Sequence, residues 1–114
     1  MTIEFKNPDQ IINMGGPWIS DLYINGNEIE NKIIIDNYLE DSEFYYFIKY
    51  FEISKKQKDN FFSVIRINKQ NFKTMISKEK FERIFIIEMK KNILYYADGF
   101  HKKLPIINKL INFY

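Results

Sequence analysis

Between Trp18 and Ile35 apolar and polar residues alternate in two runs, Leu22 and Ile24 in the first and Ile29, Ile33 and Ile35 in the second, separated by Asn25-Gly26. A two-residue period marks a half-buried strand, and Asn-Gly between two such runs is the strongest local signal for a hairpin. A two-residue loop there sets the register: Ile24 opposite Asn27, Leu22 opposite Ile29, Ser20 opposite Asn31, Trp18 opposite Ile33. The apolar residues then share one face, and a one-residue slip would turn all of them away from it. The hairpin, with Trp18, Leu22 and Ile24 against Ile29 and Ile33, is thus the expected nucleus of a β core. Gly15-Gly16-Pro17 just ahead of it supplies permissive backbone for a sharp entry.

Ile3 and Phe5 alternate with polar neighbours as a short first strand, ended by the turn tripeptide Asn7-Pro8-Asp9. After Asp36-Asn37, a loop carrying Glu40, Asp41 and Glu43 leads into Phe44 to Ile53, a run with no polar face. Its aromatic and β-branched residues, without a three-to-four spacing, predict a central strand buried on most of both sides rather than a helix. Ser54 to Asn60 is a solvated loop; Phe61 to Asn68, Phe72 to Ile76, Phe81 to Met89 and Ile93 to Ala97 follow as strands joined by short polar turns. That is an all-β antiparallel meander, forming a β-sandwich or small barrel of about eight strands. After Pro105 the spacing of Ile106, Ile107, Leu110, Ile111 and Tyr114 points to a short closing helix, with a last strand as the alternative.

Composition adds limits rather than detail. A chain of 114 residues fits one domain, 1–114, that buries about two-thirds of its extended surface. With no cysteine and one histidine, disulfides and thiolate chemistry are excluded, and neither a metal site nor a cofactor is expected. The first residues lack the basic segment and apolar run of a signal peptide and no stretch is long enough to span a bilayer, so the expected location is cytoplasmic, without membrane contact.

The net charge of +2 hides an asymmetry: residues 1–54 carry three lysines against ten acids, net −7, and residues 55–114 are net +9. Such a split marks either an interaction surface or two solvated faces that neutralise each other. Catalytic constellations are missing: His101 has only Asp98 nearby, and Glu28 with Glu30 or Asp36 with Glu40 are ordinary solvated acids. Neither a phosphate-binding glycine loop nor a nucleophile motif occurs. Two binding surfaces remain. Lys55-Lys56-Gln57-Lys58, Lys90-Lys91 and Lys102-Lys103, near Phe61, Tyr95, Tyr96 and Phe100, would suit a nucleic-acid-binding β module if those turns gathered on one side. Asp36, Glu40, Asp41 and Glu43 place four negative charges in eight positions, which would suit the basic groove of a nuclease.

Gly15-Gly16-Pro17 followed by Leu22-Tyr23-Ile24-Asn25-Gly26, then Ile35-Asp36-Asn37, an aromatic strand, Ile84-Phe85-Ile86 and Ile93-Leu94-Tyr95-Tyr96 resemble small bacterial immunity proteins. These are the partners of polymorphic toxins, in particular of contact-dependent growth inhibition systems. The resemblance implies a cytoplasmic, non-catalytic monomer that binds one cognate toxin C-terminal domain in a 1:1 complex and blocks its active site. A basic ribonuclease is the implied toxin, with no direct contact to nucleic acid. Immunity proteins share no functional residues, so the candidate contacts rest on charge and aromatics: Asp36, Glu40, Asp41 and Glu43, with Tyr38 and Tyr45.

Overall fold

A computed structural model describes residues 2–10, 18–53, 60–90 and 93–97. In these, nine strands run in order: β1 (Ile3–Gln10), β2 (Trp18–Ile24), β3 (Asn27–Ile34), β4 (Leu39–Glu40), β5 (Phe44–Phe51), β6 (Phe61–Asn68), β7 (Thr74–Ile76), β8 (Phe85–Lys90) and β9 (Ile93–Ala97). No helix occurs among the described residues; the expected C-terminal helix, His101 and Gly15-Gly16-Pro17 all lie outside them. The pairing is antiparallel throughout, in a large sheet ordered β1-β2-β3-β5-β6-β7 and a separate β8-β9 hairpin. The short β4 is the strand beyond the eight expected, and it shares with β3 the same edge of β5.

The Asn25-Gly26 turn forms as predicted, with φ of 53° and 84°, the two left-handed residues that a hairpin of this type requires. Asn25 also ties down β1, since its N–H donates to Thr2 O at 2.9 Å and its Oδ1 accepts from Thr2 N at 3.0 Å. Beyond the first pairs the register departs from expectation. Ile24 faces Asn27, but Leu22 faces Glu30 and Ser20 faces Ile33, because bulges absorb two extra residues of β3, one at Ile29 and one between Glu30 and Ile33, where Lys32 has a φ of 54°. An offset of two residues restores the face, so Leu22, Ile24 and Ile33 still meet in the core. Trp18 does not join them: it sits two rungs past Ile33, where its carbonyl accepts from Ile35 N–H at 3.1 Å, and it is 51% exposed.

The first strand is longer than predicted, because Asn7-Pro8 forms a bulge inside β1 (Asn7 φ 55°) instead of ending it. Proline is tolerated there because β1 is the edge of the sheet. The strand expected over 81–89 begins only at Phe85, and Phe81 instead makes an isolated bridge to Phe62. Likewise Phe72, in the left-handed region at φ 58°, belongs to the turn before β7.

β5 and β6 pair over eight consecutive rungs without a slip, from Phe44 opposite Asn68 to Phe51 opposite Phe61. As its two apolar faces predict, β5 feeds two cores. Tyr46, Ile48 and Tyr50 pack with Phe62, Val64, Ile84, Ile86 and Leu94 beneath the β8-β9 hairpin. Tyr45 and Phe47 pack with Leu22, Ile24, Ile33, Ile65 and Ile67 on the opposite side. The second core exists because the large sheet curls. In a flat sheet three strand spacings would separate β1 from β5 by about 14 Å, yet the Phe5 and Phe47 ring centroids are 6.3 Å apart. Bulges in β1 and β3 supply that curl. The result is sandwich-like on one face and half-barrel on the other.

One buried amide joins the two sheets. Asn37, 8% exposed, donates from Nδ2 to Ile86 O at 3.0 Å and accepts at Oδ1 from Ile86 N at 3.1 Å. Its side chain thereby completes the backbone hydrogen bonding of one β8 residue, as a strand partner would.

Candidate functional site

The acidic segment lies along the β5 edge that β3 and β4 share. Asp36 is exposed at the corner where β3 gives way, at φ 63°. Tyr38, next but one, turns inward: its ring stacks on Phe47 at 5.2 Å and meets Phe5 at 6.1 Å. β4 then pairs Leu39 with Tyr46 and Glu40 with Tyr45, and residues 41–43 make the turn into β5.

Asp41 builds that turn. Its Oδ1 accepts from the N–H groups of Glu43 and Phe44, both at 2.8 Å, and its Oδ2 accepts from the Tyr46 hydroxyl at 3.0 Å. Partial burial pushes its carboxyl upward, but those N–H groups, the Tyr46 hydroxyl and the Lys69 charge together hold it below the usual carboxylate range. Burial first, and then the hydrogen bond and charge of Asp41, raise the Tyr46 phenol well above its ordinary value. Asp41 is therefore committed inward.

A second turn, between β6 and β7, closes against the first. Asn68 Oδ1 accepts from Gln70 N at 2.8 Å and Asn71 N at 3.4 Å, which fixes this turn as Asp41 fixes the other. Lys69 N–H donates to Glu43 O at 2.9 Å, and Lys69 Nζ binds Glu40 Oε2 at 2.7 Å while lying 4.9 Å from the centre of the Tyr45 ring. The hydrogen bond that Lys69 donates to Glu40 leads the effects that raise the Lys69 ammonium above its ordinary value. Between the turns is a pocket of about 270 Å³ lined by Ser42, Glu43, Asn68, Lys69 and Gln70.

The structure thus brings together Glu40, Asp41 and Glu43, sets Asp36 apart at the corner between β3 and β4, and takes both tyrosines out of the exposed set. Tyr45, at 3% exposed, is core, because the register of β5 turns odd-numbered residues toward Phe47 and Ile65. Lys69 and Asn68 are the members that charge counting missed, since 29 residues separate Lys69 from Glu40. The Asp-x-Glu turn just before an aromatic strand was a usable signal for the structural role of Asp41.

Of the lysine-rich turns, residues 55–58, 91 and 102–103 lie outside the described residues. Among the described residues, no group of three acidic, histidine or cysteine side chains is placed to hold a metal ion, and no helix is long and apolar enough to cross a membrane.

No known protein family matches the chain, and neither a curated protein nor a solved structure matches it. The class that the structure defines is a fold: among the described residues, an antiparallel all-β protein of one curled sheet capped by a hairpin.

Proposed function

We propose that this protein is an inhibitor of the immunity type: it binds a cognate toxin C-terminal domain, a basic ribonuclease, one to one, and blocks the toxin's active site. The observation that carries the proposal is the pinned β4–β5 turn, which presents Glu40 and Glu43 on backbone locked by Asp41. A rigid acidic surface suits a groove that binds polyphosphate, because it steers association and loses little conformational entropy on docking. The resemblance of the Gly-Gly-Pro and Tyr-Ile-Asn-Gly segments to immunity proteins supports the same reading, as does the net charge of −7 over residues 1–54. The protein acts in the cytoplasm by occlusion and performs no chemistry.

The test begins with the gene immediately upstream: if it encodes a large secreted protein ending in a nuclease domain, that domain is co-expressed with this protein. Reversal of Asp36, Glu40 and Glu43 to lysine, with Asp41 left in place to keep the turn, should slow association at least tenfold at low salt. A triple variant that folds and protects cells as well as wild type does would remove the acidic edge from the interface.

A further inference from the structure

The pocket between the two turns carries a more specific assignment, which rests on the binding function just proposed. Both walls are preorganised: Asp41 locks one turn, Asn68 locks the other, and the Lys69 N–H to Glu43 O hydrogen bond joins them. Its charge balance is one-sided. Lys69, the one ammonium lining the pocket, is already held by Glu40 and lies over Tyr45, whereas among the described residues the Glu43 carboxylate meets no cation. Ser42 and Gln70 also line the pocket, and a hydroxyl and a carboxamide oxygen can each accept a hydrogen bond from a bound cation. At about 270 Å³ the pocket falls just below the roughly 300–1,000 Å³ of small-molecule sites, a size for one long side chain rather than a cofactor.

We infer that this pocket receives the guanidinium of an arginine projecting from the partner. A planar fork of donors matches a carboxylate in a way that a lysine ammonium does not, and it leaves N–H groups over for Ser42 and Gln70. An anion is disfavoured, because Lys69 is committed and Asn68 Oδ1 is taken up by the amides of its own turn. On this assignment Glu43 is the anchor of the interface, and Glu40 acts through Lys69 by holding that charge away from the incoming cation.

The experiment is an amide chemical-shift titration of the full chain with N-acetyl-arginine amide, alongside N-acetyl-lysine amide and inorganic phosphate. Saturable shifts should be confined to residues 42, 43 and 68–70, with lysine binding several-fold more weakly. Glu43→Gln should weaken arginine binding at least tenfold and Glu43→Asp several-fold, while Glu4→Gln, exposed on β1, leaves it unchanged. Because the Glu43 backbone rather than its side chain joins the turns, both Glu43 variants should keep the wild-type spectrum elsewhere. The assignment is overturned if arginine produces no saturable shifts there, if Glu43→Gln or Glu43→Asp binds as wild type does, or if lysine or phosphate binds as tightly. No toxin is present in this titration, so its failure leaves the inhibitor function to the co-expression test. Conversely, a clean arginine site with an unaltered triple variant would separate the pocket from toxin binding.

Discussion

Replacement of Asp41 by alanine removes three hydrogen-bond acceptor contacts at once: Glu43 N and Phe44 N at 2.8 Å and the Tyr46 hydroxyl at 3.0 Å. Hydrogen bonds to a charged group are worth about 1.5–3 kcal/mol each, but the three do not count equally. The Glu43 N–H sits in an exposed turn and returns to water at little cost, whereas the Tyr46 hydroxyl belongs to a buried residue and loses a charged acceptor there. The expected loss for Asp41→Ala is therefore about 2–4 kcal/mol, and about 1–2 kcal/mol for Asp41→Asn, which keeps one oxygen for the backbone. Urea denaturation of both variants and of Tyr46→Phe, combined in a double-mutant cycle, measures the Asp41–Tyr46 coupling directly. The pH dependence supplies the sign. A carboxyl held below its ordinary value stabilises the fold fully above the unfolded pKa, about 3.9, and that contribution drains away as pH falls through the lower folded value. Wild type should thus lose more stability than Asp41→Asn on acidification below about pH 4. If Asp41→Ala stays within about 0.5 kcal/mol of wild type, or the two proteins share one acid slope, the turn is not built on this carboxylate.

Asn37→Ala should cost about 2–4 kcal/mol, because it strands both the N–H and the C=O of buried Ile86. Thermal melts will show it, and an unchanged midpoint would mean that the two sheets are held by apolar packing alone. Ser20 makes the opposite case: its hydroxyl is buried, with the residue 3% exposed, and has no hydrogen-bond partner among the described residues. Ser20→Ala should leave the urea midpoint unchanged or raise it, and a loss above about 1 kcal/mol would show that the hydroxyl is satisfied after all.

Where side-chain period and turn chemistry act locally, the sequence was legible. The Asn25-Gly26 hairpin and the two-faced strand β5 follow from alternation and from left-handed backbone, both visible in a short window. What escaped depends on position in the sheet. Asn7-Pro8-Asp9 has the composition of a turn, and only the edge location of β1 lets it be a bulge instead. Trp18 was expected in the core on a bulge-free register; two extra residues in β3 slid Ile33 opposite Ser20 and left the indole beyond the last rung. In the candidate site the acidic run was visible but its division of labour was not. The one local mark of Asp41, which faces its own turn, is its place two residues before Glu43 at the start of an aromatic strand, and the neutralising Lys69 arrives from another hairpin. Asn37 resembled any turn residue because its partner is 49 positions away.

That last separation bears on how the molecule opens. The Ile86 amide hydrogen is held by a side chain rather than by a neighbouring strand at that point, so it is released when the β8-β9 hairpin lifts from the large sheet, without β5 and β6 coming apart. Ile86 is therefore a natural reporter of sub-global opening. Its hydrogen-exchange rate gives the free energy of undocking, distinct from that of global unfolding. Since Asn37 adjoins Asp36 at the acidic corner, the same proton will register whether a partner seated there stiffens the far sheet.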